Sequence, residues 1–105
     1  MKQILLLTLF LSHQASAVEA DYILMIKDHH FQPTEINIPA GKKVKILIQN
    51  MDATPEEFDS YSLNREKIVA GNSSAIIFIG PLTPERYPFT GEFHNTTAFG
   101  AIIAK

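Results

Sequence analysis

The stretch Phe31–Asp52, FQPTEINIPAGKKVKILIQNMD, decides how this chain folds. Ile36 and Ile38 flank Asn37 in strict alternation, and Pro39-Ala40-Gly41 follows as a turn. Beyond the turn, Val44, Ile46 and Ile48 share one face, while Lys43, Lys45 and Gln49 share the other. A two-residue period of this kind sets an apolar face against a core and a polar face against water. Leu47 interrupts the polar face, so the alternation is good without being perfect.

Outward from this segment the same signal recurs. Tyr22–Lys27 (YILMIK) is apolar, aromatic and β-branched, which reads as a strand. Ala75–Ile79 (AIIFI) is an unbroken apolar run and reads as a strand buried on both faces. Pro81 and Pro84 mark a turn, Tyr87 and Phe89 alternate, and Phe99–Ala104 forms a last apolar strand. Some six short strands with regular turns predict an all-β sandwich or barrel. Ala53–Ala70 is ambiguous. Thr54-Pro55-Glu56-Glu57 carries the marks of a helix start, but Asn64 and Arg65 interrupt the apolar stripe of Phe58, Tyr61 and Ile68. A loop followed by a short strand is the preferred reading, with one short helix in 54–66 as the alternative.

The first residues have another purpose. Lys2, the apolar Ile4–Leu11 and the small residues Ala15-Ser16-Ala17 are the pattern of a secretory signal peptide over residues 1–17, cleaved after Ala17. The apolar run is too short to span a bilayer. One domain, 18–105, is then expected, and His13 leaves with the leader, so His29, His30 and His94 remain. The formal charge is −2 and becomes −3 without Lys2, too weak to name a partner. No basic run points to nucleic acid, and no second apolar segment points to a membrane span in the mature chain. The chain has no cysteine, so an exported domain of this size must hold by packing alone. No Ser/His/Asp or Cys/His pairing and no glycine-rich phosphate loop argues for catalysis, so a non-enzymatic role is expected. Asn72-Ser73-Ser74 and Asn95-Thr96-Thr97 fit the glycosylation pattern of exported eukaryotic proteins.

Phe31–Asp52 resembles the first half of a cupredoxin: a Phe-x-Pro start, alternating β residues, a Pro-Ala-Gly turn, and a strand ending in Asn before a ligand loop. EEFDSYSLNREKIVAG (Glu56–Gly71) and YPFTGEFHNTTAFG (Tyr87–Gly100) look like the EfeO-type cupredoxin-like domains associated with periplasmic iron transport. The resemblance implies a Greek-key β-sandwich in the bacterial periplasm, where the two Asn-x-Ser/Thr sites are plain turn residues.

It also shows what is missing. Blue-copper sites use two His, one Cys and a weak axial Met. Here Pro55-Glu56-Glu57-Phe58 stands where the first His belongs, Thr90-Gly91-Glu92 near the Cys position, and Phe99 near the Met position. His94 alone matches a ligand of the usual kind. Without a thiolate, blue-copper electron transfer is excluded.

The resemblance brings Glu57 and Asp59 toward Glu92 and His94, with Glu66 as a further acidic residue of the pattern. Carboxylates with imidazole suit Cu(II), iron, Zn and Mn rather than Cu(I). The expectation is therefore a copper- or iron-binding protein serving a metal uptake system, with an iron permease complex or another periplasmic metal-binding protein as partner. The rival is a metal-free sandwich that contacts a membrane permease or another exported protein. His29 and His30 are adjacent and on an extended chain point to opposite sides, so at most one can serve a given site. Met51 reads as loop packing.

Overall fold

The computed structural model describes residues 19–105; the expected leader and its cleavage site lie outside them. Nine strands follow in chain order. They are β1 Tyr22–Lys27, β2 His30–Gln32, β3 Glu35–Ile38, β4 Val44–Asn50, β5 Glu56–Ser60, β6 Arg65–Val69, β7 Ser73–Ile79, β8 Glu85–Gly91 and β9 Phe99–Ala104. One 3₁₀ turn, Glu92–His94, is the sole helical element among the described residues.

The strands form two sheets, ordered β2-β1-β4-β7 and β3-β9-β8-β5-β6. β1 runs parallel to β4, and β3 parallel to β9; the other pairs are antiparallel. The alternation of Val44–Asn50 is realised as predicted. Val44, Ile46, Ile48 and Asn50 are buried and the intervening residues half-buried, so Leu47 lies on the wetter face. This is an all-β sandwich of two sheets, the architecture that the resemblance implies.

The core is one apolar layer between the sheets, and its site-bearing end is built on three phenylalanines. Phe31, Phe58 and Phe89 are at most 1% exposed. The Phe31 and Phe89 rings meet edge-on at 5.0 Å, and Phe58 tilts against Phe89 at 4.9 Å. Such aromatic pairs add about 0.5–1.5 kcal/mol each beyond their buried area. Each stands two residues from a residue discussed below: His29, Glu56 and Gly91. A strand returns to the same face every second residue, so this cluster anchors the segments that carry the site.

The preferred reading of a loop and then a strand holds for Ala53–Ala70, and the alternative helix in 54–66 does not form, because Glu56–Ser60 is strand β5, paired with β6 on one side and β8 on the other. The helix-start pattern yields to Asn50, whose buried amide donates to the carbonyls of Thr54, Val69 and Ala70 at 2.8, 3.2 and 3.3 Å. The Ala75–Ile79 run is not buried on both faces. β7 is an edge strand paired only with β4, and Phe78 is 47% exposed. Its apolar outer face is partly covered from the side. Arg65 Nε donates to Phe78 O at 2.9 Å, and Lys43 Nζ sits 4.8 Å from the Phe78 ring centroid.

Candidate metal centre

Three segments meet at one end of the sandwich. The first is the turn between β1 and β2. Lys27 pairs with His30, which leaves Asp28 and His29 as a two-residue loop, with φ of 51° and 60°. Two successive positive φ values are the mark of the hairpin turn whose twist matches the flanking strands. Asp, Asn and His accept that region better than most residues. Asp52 stabilises the turn: its Oδ1 accepts from Asp28 N at 2.7 Å and its Oδ2 from His29 N at 3.0 Å. Burial pushes the Asp52 carboxyl up. The two N–H groups and the nearby imidazoles of His29 and His94 outweigh that and hold it below its usual 3.8.

The second segment is the start of β5, where Glu56 points inward in phase with Phe58 and is 1% exposed. Its Oε1 accepts from Glu57 N at 3.0 Å and Phe93 N at 2.9 Å. Its Oε2 faces His94 Nδ1 at 2.6 Å. A buried carboxylate is tolerated when hydrogen-bonded in this way. Among the described residues no buried side-chain polar atom lacks a partner.

The third segment is the end of β8 and the 3₁₀ turn. Gly91 makes room for Glu56. A Cβ on Gly91 would lie 2.7 Å from Glu56 Cδ, 2.9 Å from Glu56 Oε1 and 2.7 Å from Ala98 Cβ. This is where the resemblance would seat a cysteine, and the Glu56 carboxylate fills that space. His94 follows in the 3₁₀ turn, its carbonyl accepting from Ala98 N at 2.8 Å.

His29 closes the arrangement. Its ring stacks on that of His94, with centroids 3.6 Å apart and planes inclined by 12°. Thr97 Oγ1 donates to His29 O at 2.6 Å, which ties the two histidine-bearing loops together. His29, Glu56 and His94 each offer one donor atom, all within 4.8 Å of one another.

Of the five residues expected as ligands, the structure brings only His94 into this group. Glu57, Asp59, Glu66 and Glu92 stand outside it. The reason is strand phase. Glu57 and Asp59 alternate with the inward Glu56, Phe58 and Ser60, and so face out of the sandwich. Glu66 pairs with Asp59 across the β5–β6 ladder, and Glu92 is exposed in the 3₁₀ turn. Together they are an acidic surface. Desolvation first, then the charges of Glu66, Asp59, Glu92 and Glu56, raise the Glu57 carboxyl above its usual 4.5. Glu56 was legible, because it shares parity with Phe58, an apolar residue that must face the core. His29 was hidden, because the extended-chain rule for His29 and His30 fails at a positive-φ turn.

By kind, imidazole nitrogen and carboxylate oxygen suit Cu(II), iron or Zn, and the absence of sulfur disfavours Cu(I). At 2.6 Å Glu56 Oε2 and His94 Nδ1 are within hydrogen-bond distance. Two donors on a tetrahedral ion stand about 3.3 Å apart at bond lengths of about 2.0 Å. For Glu56 Oε2 and His94 Nδ1 to bind one such ion together, the pair would have to part by several tenths of an ångström.

The comparisons agree with the fold. The chain matches the model of the cupredoxin-like domain family over residues 3–104, and it belongs to that family. It is 45% identical over 80 residues to an uncharacterized protein of Rickettsia prowazekii (strain Madrid E), covering 76% of this chain and 64% of that relative's length. Amicyanin from Paracoccus versutus superposes with a TM-score of 0.65 at 17% identity, covering 84% of this chain and 85% of amicyanin. The metal-binding domain of the Cu(I)-exporting P-type ATPase CopA of Streptococcus pneumoniae D39, solved with Cu(I), gives 0.70 at 12% identity, covering 85% and 91%.

Proposed function

We propose that this protein binds a divalent or oxidised metal ion, copper or iron, through Glu56 and His94, and does so in the periplasm as part of a metal uptake system. One observation carries the binding: the buried Glu56 carboxylate and the His94 imidazole, 2.6 Å apart at the end of a cupredoxin-like sandwich. The periplasmic setting is supported by the leader pattern of residues 1–17. The uptake role is supported by the EfeO-type resemblance. The chain's part is to hold and hand over a metal rather than to catalyse. Glu56 supplies an anionic oxygen fixed by two N–H groups, His94 supplies a nitrogen, and the ion when bound supplies a positive centre that attracts further donors.

Isothermal titration with Cu(II) and Fe(II) tests this. Glu56→Gln and His94→Ala should each weaken binding by about 10-fold or more, the scale seen when metal-site groups are altered. Acidification should weaken it too, because protons compete with the ion for the same two groups. A specific observation also favours the metal-free interaction module: Glu56 is fully hydrogen-bonded without an ion. If the parent protein binds neither metal, that second reading replaces the first.

A further inference from the structure

The stacked pose of His29 is incompatible with both imidazoles binding one ion. An imidazole binds a metal through a lone pair lying in the ring plane. Planes separated by about 3.6 Å and inclined by only 12° meet on the order of 15 Å away, far beyond the bonding distance of about 2 Å. An ion in the plane of His94 therefore sits over the face of His29, where no lone pair points.

The donor count nevertheless asks for a third group. Glu56 contributes one oxygen, because two backbone N–H groups occupy the other. His94 contributes one nitrogen. Two donors leave a divalent ion mostly hydrated, and His29 is the remaining member of the group that lies within 4.8 Å.

The hydrogen bonds at this turn hold the backbone of His29 and not its ring. Its backbone is held on both sides, by Asp52 at the N–H and by Thr97 at the carbonyl. The ring is held by little. Its Nδ1 lies 3.4 Å from Asp52 Oδ2, beyond the usual hydrogen-bond range, and its side chain is 42% exposed. Rotation out of the stack breaks that weak contact and one ring–ring contact, and leaves the turn intact.

We propose that His29 is a swinging third ligand, stacked on His94 in the metal-free protein and turned edge-on to present a ring nitrogen when Glu56 and His94 have taken an ion. This rests on the metal-binding reading above, and one experiment separates the two. Zn(II) is the probe, followed by NMR of the imidazole C–H and ring nitrogens and by calorimetry. In the metal-free protein the stacked rings should shield each other's C–H protons. Zn(II) should abolish that shielding and shift a ring nitrogen of His29 as well as one of His94.

His29→Phe keeps an aromatic ring for the stack but offers no donor, and His29→Asn keeps a residue that accepts the turn's positive φ. Both should bind Zn(II) about 10-fold or more weakly than the parent. Zinc-loaded His29→Phe should retain the shielding on His94. The inference is overturned if shielding persists in the zinc-loaded parent, or if both variants bind as tightly as the parent. In those cases Glu56 and His94 still bind. A parent that takes no Zn(II), Cu(II) or Fe(II) overturns the metal reading and this inference with it.

Discussion

Gly91→Ala is the sharpest perturbation of this site, because it adds one methyl group and nothing else. Gly91 has φ −92° and ψ 105°, an extended conformation that alanine adopts freely, so the backbone raises no objection. The conflict is steric. The new methyl would stand 2.7 Å from both Glu56 Cδ and Ala98 Cβ, closer than carbon atoms approach. Ala98 is fully buried and cannot rotate away, so Glu56 must give. Overpacking a filled interior costs about 1–3 kcal/mol. Displacing the carboxylate also loosens its part-buried hydrogen bonds from the N–H groups of Glu57 and Phe93, at about 1–2 kcal/mol. The two effects share one movement, so a total of about 2–4 kcal/mol is expected. Urea unfolding measures it. The double variant Gly91→Ala/Glu56→Ala should be less destabilised than the two single losses combined, because the second change removes an atom the first collides with. A Gly91→Ala protein within about 0.5 kcal/mol of the parent, the scale of a neutral surface change, would refute the claim that Glu56 occupies this space.

Asp52→Ala removes the acceptor of two turn N–H groups and should cost about 1–2 kcal/mol at pH 7. The Asp52 carboxyl is lowered in the fold, so its contribution is present above its usual 3.8 and is lost as pH falls through the lower folded value. The gap between parent and variant should narrow when unfolding is repeated near pH 3. Glu57→Gln should act with the opposite sign. A carboxyl raised above its usual 4.5 costs the fold stability as pH rises through that range, so the variant should melt higher than the parent at pH 7 and equal to it in acid. Cu(II) added to the protein should give no intense visible band, since no thiolate is available to colour it. A strong band near about 600 nm in the titration spectrum would contradict the ligand assignment.

What the sequence determined by itself is local. Tyr22–Lys27 and Phe99–Ala104 are strands over the ranges their composition indicates, and Val44–Asn50 buries the face its alternation assigns. Neighbouring side chains of an extended segment must point to opposite sides, so the period is visible before any fold exists. The absence of cysteine likewise excludes a thiolate ligand whatever the fold. The tertiary structure decided everything that depends on distant partners. Glu56 rather than Glu57 enters the site because the phase of β5 is locked by Phe58 packing on Phe31 and Phe89. A shift of one residue exchanges the two faces. The Ala75–Ile79 run became an edge because strand order is set by long-range pairing, to which a local apolar run is blind. His29 reaches His94 because Asp52 and Thr97, 23 and 68 residues away, fix a left-handed turn that no extended-chain rule anticipates. Periodicity is a property of near neighbours, whereas a metal centre is assembled from loops that only the closed sandwich brings within a few ångströms.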